Sequence, residues 1–150
     1  MLNISNSLAI RKSCRRFEKV EKIPKMHYDS MLWASQQAPY CSGGPRFELY
    51  ACGDPAKKAE LKKACMNQQY VEDAALVFVF CGKDPGTKLR QGFSKFVFDC
   101  AAACMCLDLM ATALGYGTCW IGNFLPEQVQ KILKTDLRPT IILIVGVQEE

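Results

Sequence analysis

The sequence has little of what triad and metal catalysis require. Its 150 residues include one histidine, His27, and no nucleophile motif accompanies it, so a Ser–His–Asp triad is not expected. The nine cysteines are scattered, without a CxxC pair. Cys100, Cys104 and Cys106 come closest to ligand spacing, but Cys106 points away from the helix face that the other two share. The sequence therefore predicts no metal site.

Motifs for phosphate loops and for export are also missing. The chain has no P-loop and no GxGxxG, and Leu114–Gly117 resembles the end of a helix instead. The N-terminus lacks a charged region followed by an apolar core, so a secretory signal is not expected. The longest apolar run, Phe93–Leu114, is broken by Lys95, Asp99 and Asp108, which argues against a membrane span. We therefore expect reduced thiols and a cytoplasmic location.

The charge of the chain is small and unevenly distributed. Nineteen Lys and Arg against 15 Asp and Glu give +4, too little to indicate nucleic-acid binding. Residues 1–25 alone hold seven cations and two acids, or +5. Four of those cations and Ser13 lie between Ile10 and Phe17, a composition suited to binding an anion. A solvated basic turn is the alternative, and composition alone does not exclude it.

The apolar pattern predicts an α+β fold in one domain, residues 1–150. Two continuous apolar runs, 74–81 and 140–147, are typical of central strands, whereas 46–52 alternates like a half-buried strand. With 117–121 they give a mixed or antiparallel sheet of about four strands. Five helices are expected, over 3–12, 25–37, 54–65, 94–114 and from Pro126 onward. The helix over 94–114 is apolar nearly all round, which indicates a core or a subunit interface.

Several motifs, in order along nearly the whole chain, resemble the nitroreductase-like flavoproteins. Arg11–Phe17 is similar to that family's opening RRSxRxF/Y signature, and Ala38-Pro39 with the following loop is similar to its aPSxxNxQPWxF segment. The stretch 67–74 precedes an apolar strand as the family's asparagine segment does. The residues 113–117 and 120–124 resemble its LGLG helix end and its flavin-contacting loop.

The resemblance implies a homodimer with the long apolar helix at its interface and FMN bound between the subunits. Arg11, Ser13 and Arg15 would bind the FMN phosphate, and Lys12 or Arg15 would lie near the N1–C2=O edge of the ring. Asn67 would bind the pyrimidine edge, and the backbone of Gly122 and Asn123 would approach N5. The loop that covers the ring would come from the partner and would begin with Pro39, Tyr40, Cys41 and Ser42.

The implied activity is an NAD(P)H oxidoreductase that passes hydride from nicotinamide to flavin N5 and on to a nitroaromatic, a quinone or a similar acceptor. The 39–46 loop has neither the asparagine nor the tryptophan of the family segment, and the sequence ends soon after the last strand, where relatives commonly continue with a phosphate-binding cation. Arg46 or Arg138 would then assist the opening segment. These departures keep open a non-catalytic flavin-binding or anion-binding protein. A thiol redox sensor at Cys14 or Cys41 is a third hypothesis.

Overall fold

The computed structural model describes residues 3–19 and 22–149, which form one four-stranded sheet between two layers of helices. The strands are β1 (Phe47–Cys52), β2 (Leu76–Gly82), β3 (Gly117–Ile121) and β4 (Arg138–Gly146). Their order is β1-β2-β4-β3, and every pair is antiparallel. The two strands that were predicted to be central, β2 and β4, are central and buried on both faces. The α+β prediction is therefore confirmed.

Among residues 3–19 and 22–149, six helices accompany the sheet, one more than the sequence predicted. They are α1 (Ile4–Ile10), α2 (Lys25–Gln36), α3 (Pro55–Ala64), α4 (Gln69–Asp73), α5 (Lys95–Ala113) and α6 (Pro126–Leu133). The missed helix, α4, is five residues long, too short to show an apolar period. Asp54 caps α3 through its side chain, and Gly115 ends α5 with a φ of +91°, as the sequence indicated.

The helices divide between the two faces of the sheet. The side chains of α2 and α5 pack with Phe78, Phe80 and Leu143 on one face. On the other face, α3, α4 and α6 pack with Val77, Val79 and their neighbours. The α1 helix lies outside this arrangement, against α5. Its inward residue is Ser7, whereas Ile4 and Leu8 are 62% and 54% exposed.

Helix α5 is buried along one face only, although its sequence is apolar nearly all round. Its inward stripe runs from Phe96 to Thr112 and includes Cys100 and Cys104, while Phe98 on the opposite side is 45% exposed. Within the described part of the chain, α5 is the helix long and apolar enough to cross a membrane, but half of that window is buried in the fold. A core helix with one outward apolar face accounts for its composition. Trp33 of α2 is also 57% exposed.

The basic segment 10–17 is extended and does not form the predicted turn. Ser13 pairs with Thr118 in parallel, and the Cys14 N–H donates to the Thr118 carbonyl at 2.7 Å. Cys14 and Phe17 are buried and anchor the segment, whereas Ile10 before it is 53% exposed. The close packing requires glycine opposite: a Cβ on Gly117 would lie 2.8 Å from the Cys14 Sγ.

Candidate functional site

The cations of the basic segment lie along the outer edge of β3. Because Cys14 and Phe17 point into the core, the residues between and before them face outward: Lys12, Ser13 and Arg15 are exposed, and Arg11 is partly exposed. Arg11 and Lys12 also line a polar cavity of about 100 Å³ with Gly117. Arg16 is exposed as well, so the segment along the edge of β3 presents four cations and a hydroxyl, the donors that an anion site requires.

The pKa of a neighbouring thiol reflects the same cluster. Burial raises the pKa of Cys119 on β3 above its ordinary value, and the nearby Arg15 cation and the Ser13 hydroxyl oppose that rise. Ser13 and Arg15 thus lie near Cys119, the residue that follows Thr118 in the middle of β3.

The loop after β3 continues this edge toward Asn67. The N–H of Leu125 donates to the carbonyl of Ala64 at 2.9 Å, which ties the segment containing Gly122 and Asn123 to the end of α3. Asn67 follows α3 directly and is exposed. A Cβ built on Gly122 meets no atom within 4 Å, so the loop faces open space. We refer to the basic segment along the β3 edge, this loop and Asn67 together as the β3-edge site.

Asn67 has an uncommon backbone conformation. Both Met66 and Asn67 have φ of +57°, the left-handed region, where asparagine is tolerated but methionine is disfavoured. The Asn67 N–H donates to the Lys62 carbonyl at 3.0 Å, so the end of α3 maintains this conformation. Such conformations persist where the surrounding structure fixes them, and they cluster at binding sites.

A buried carboxylate lies beneath the β3-edge site. Asp108 of α5 is 0% exposed. Its Oδ1 accepts from the Thr118 hydroxyl at 2.6 Å, and its Oδ2 accepts from the Trp120 indole N–H at 2.8 Å. The Arg11 Nη1 lies 3.8 Å from Oδ2, an ion pair. Asp108 thus connects α5, β3 and the basic segment.

The loop 39–46 lies at the other end of α5. Asp99, 1% exposed, accepts from the Cys41 N–H at 2.7 Å and from the Arg46 N–H at 3.1 Å. The Arg46 guanidinium donates to the carbonyls of Cys41 and Gly44 and pairs with Asp84. Lys95 donates to the Ser42 hydroxyl at 3.3 Å. Arg46 therefore stabilises the loop, and its role at the phosphate, like that of Arg138, stays a prediction.

Within one chain, the predicted site residues fall into two groups, one near Asp108 and one near Asp99 of α5. Asp99 and Asp108 are nine residues apart on α5, which separates their partners by roughly 13 Å along the helix axis. The first group comprises Arg11, Lys12, Ser13, Arg15, Asn67, Gly122 and Asn123. The second comprises Pro39, Tyr40, Cys41 and Ser42, of which Tyr40 is 54% exposed.

Sequence reasoning missed the roles of Asp99 and Asp108. Both served only as evidence against a membrane span. A helix turns about 100° per residue, so residues nine positions apart lie about 2.5 turns apart, on opposite flanks of one buried stripe. A carboxylate on each flank of an apolar helix is a signal that a neighbouring segment must supply donors there, because a buried charge needs partners.

Other chemistries find little support among the described residues. No group of three or more His, Cys, Asp and Glu side chains there is arranged to hold a metal ion. All nine cysteines are free, and Cys14 is buried, 5% exposed, which does not suit a redox sensor at that position. Burial raises the pKa to about 12 for Cys65, Cys81 and Cys100. His27 lies 2.7 Å from the Tyr116 hydroxyl, outside both groups.

The sequence and the fold both match known proteins. Residues 8–92 and 74–147 match the pattern of the Nitroreductase family. The FMN reductase (NADPH) of Bacillus subtilis (strain 168) is 26% identical over 152 residues, which cover 90% of this chain and 61% of that protein. The chain thus spans about three fifths of the length of this relative.

Solved structures share the fold at lower identity. A nitroreductase family protein from Clostridium novyi NT superposes with a TM-score of 0.92 at 22% identity, over 99% of this chain and 87% of its own. The NADPH:FMN oxidoreductase from Vibrio harveyi, in complex with NAD+, gives a TM-score of 0.89 at 22% identity, over 99% of this chain and 70% of its own. At such identities the likeness establishes the fold.

Proposed function

The chain belongs to the nitroreductase family, and we propose that it is an FMN-dependent NAD(P)H oxidoreductase that acts as a homodimer on a nitroaromatic, a quinone or a similar acceptor. The observation that carries this proposal is the β3-edge site. It combines exposed cations at the edge of β3, an exposed asparagine and an open glycine loop.

The donors of this surface fit the FMN phosphate. Arg11 and Arg15 offer planar forks of N–H donors, and Ser13 adds a hydroxyl between them. Ser13 and Arg15 are exposed and Arg11 is partly exposed, whereas Cys14 between them is turned inward. In our proposal these three side chains bind the phosphate. Lys12 or Arg15 offsets negative charge at the N1–C2=O edge of the ring.

The remaining residues of the site fit the ring. The side-chain amide of Asn67 both donates and accepts, which suits the pyrimidine edge. Gly122 leaves open space at the loop after β3, so its backbone and that of Asn123 are free to approach a planar group. When bound, FMN supplies the exchange of two electrons between a nicotinamide and an acceptor. The chain itself binds and orients FMN and leaves one side of the site open.

A second subunit completes the site in this proposal. The loop 39–46 and the basic segment are attached to α5 at points roughly 13 Å apart, and in our proposal the loop that covers the flavin comes from a partner. The outward apolar residues of three helices support such a partner: Ile4 and Leu8 of α1, Trp33 of α2, and Phe98 of α5 are each 45–62% exposed. Ile4 and Trp33 line one apolar groove with Met110 of α5, and an exposed apolar surface of this kind marks an interaction site. We propose a cytoplasmic location, in keeping with nine unpaired thiols.

Purified protein tests the proposal directly. The expected preparation is yellow, and its flavin absorbance is lost on anaerobic addition of NADH or NADPH and returns when a quinone is added. Bound FMN that neither nucleotide reduces would favour a non-catalytic flavin-binding protein. The 39–46 loop, which lacks the asparagine and the tryptophan of the family segment, is the reason for considering this alternative. A folded chain that takes up no FMN would contradict both.

A further inference from the structure

The buried carboxylate of Asp108 is fixed in place by strand β3. Thr118 and Trp120 are two positions apart on the strand and reach the same side of the sheet, toward α5. Their hydroxyl and indole N–H each occupy one carboxylate oxygen, at 2.6 and 2.8 Å. The carboxylate therefore has one orientation, and its negative charge lies at a defined position beneath the basic segment.

Arg11 forms an ion pair with this carboxylate but keeps its N–H donors available to a ligand. Its Nη1 lies 3.8 Å from Oδ2, within ion-pair range but beyond the 2.7–3.2 Å of a hydrogen bond. Among the described residues, Arg11 is the cation within that range of Asp108. A guanidinium has five N–H donors in a rigid fork, and its side chain here remains 28% exposed. Arg11 is thus held from below and still presents free donors at the surface.

We propose that Asp108 is a positioning residue that orients Arg11 toward the phosphate of FMN, an inference that rests on the proposed function. Long side chains lose rotamer freedom when they bind a ligand, and a side chain that is already ordered loses less. The fixed carboxylate restricts the Arg11 guanidinium before the phosphate arrives. It also explains a charged side chain on the inward stripe of α5, since the strand and the cation together compensate for its burial.

The substitution Asp108→Asn tests this role. An asparagine accepts from Trp120 through its oxygen and donates to the Thr118 hydroxyl through its nitrogen, so the contacts with β3 persist and only the charge is lost. The binding of two flavins is compared: FMN, and riboflavin, which has the same ring and ribityl chain without the phosphate. We expect the Kd for FMN to rise by roughly three- to tenfold, the range for releasing one long side chain, and the Kd for riboflavin to stay unchanged.

Two further variants make the comparison specific. In an Arg11→Ala background, Asp108→Asn should no longer alter the ratio of the two Kd values, because the residue through which it acts is gone. Asp99→Asn is the matched control, with the same change on the same helix at equal burial. It should leave the ratio unchanged, because Asp99 contacts the 41–46 loop and no cation of the β3-edge site.

An equal loss of both flavins in Asp108→Asn, an unchanged ratio or tighter binding of FMN would overturn the inference, and so would an equal effect of Asp99→Asn on the ratio. If Asp108→Asn does not fold, the double variant Asp108→Leu/Thr118→Val replaces it, and the same rise in the FMN Kd alone is expected. This variant removes the buried charge together with its buried hydroxyl partner, and the exposed Trp120 indole N–H can bind water instead. A wild-type chain that binds no flavin overturns the proposed function as well, whereas FMN binding with an unchanged ratio overturns this inference alone.

Discussion

Replacing Asp99 by asparagine should loosen the 39–46 loop at a measurable cost in stability. The carboxylate accepts from two backbone N–H groups, of Cys41 at 2.7 Å and of Arg46 at 3.1 Å. An asparagine has the same size but offers one oxygen, so its NH₂ must face one of these donors. A hydrogen bond to a charged acceptor contributes about 1.5–3 kcal/mol, and one such bond is lost outright. We therefore expect the free energy of unfolding to fall by about 1.5–3 kcal/mol.

Urea unfolding at equilibrium measures this loss, and amide hydrogen exchange locates it. A domain of this length loses roughly 2–4 °C in Tm per kcal/mol, so a fall of about 3–12 °C should accompany the change. Exchange at Cys41 and Arg46 should accelerate before exchange in the sheet does. The control is Asp29→Asn, whose carboxylate pairs with Lys25 on the surface and should change stability by less than about 0.5 kcal/mol. Wild-type stability with both loop amides still protected would refute the reasoning.

Three other substitutions and reactions test the site and the dimer. Arg11→Ala should weaken FMN binding by about 1.5–3 kcal/mol in a fluorescence titration, and unchanged affinity would remove Arg11 from the site. Ala102→Glu, on the partly exposed side of α5, should convert dimers to monomers in sedimentation, whereas Ala56→Glu on the exposed face of α3 should not. The neighbouring residue Ala103 is unsuitable for this test, because it is fully buried in the core. Alkylation of the native protein at pH 8 should leave unreacted the three buried thiols whose pKa is about 12, and early labelling of these would contradict their burial: Cys65, Cys81 and Cys100.

The regular elements could be predicted from the sequence because each has a local signal. The apolar run of β2 and the Asp54-Pro55 start of α3 follow from short stretches of sequence alone. The basic segment could not be described that way. Its extended form depends on pairing with Thr118, more than a hundred residues later, and on the glycines that admit Cys14 and Phe17. The composition alone identified its cations as a candidate anion site, but their exposure along the edge of β3 depends on that pairing.

The outward faces were also beyond local prediction. Trp33 and Leu8 lie on helices with apolar faces, and an apolar residue on an amphipathic helix is expected to point into the core. Here Trp33 of α2 and Leu8 of α1 remain exposed, at 57% and 54%. The α1 helix packs against α5 outside the two helix layers, and these side chains stay at the surface. Which apolar face meets the chain's own core depends on how the layers stack. A single sequence contains no direct record of that choice.

The pairing of Ser13 with Thr118 has a consequence for solubility as well as for binding. Strand β3 is the last of the sheet, and an open strand edge is a template on which other chains add and aggregate. The basic segment covers part of that edge with one bridge and surrounds it with positive charge. A variant in which Phe17 or Cys14 no longer anchors the segment would uncover the backbone of β3. The same few residues therefore protect the folded chain from aggregation through this strand edge and, in our proposal, bind its cofactor.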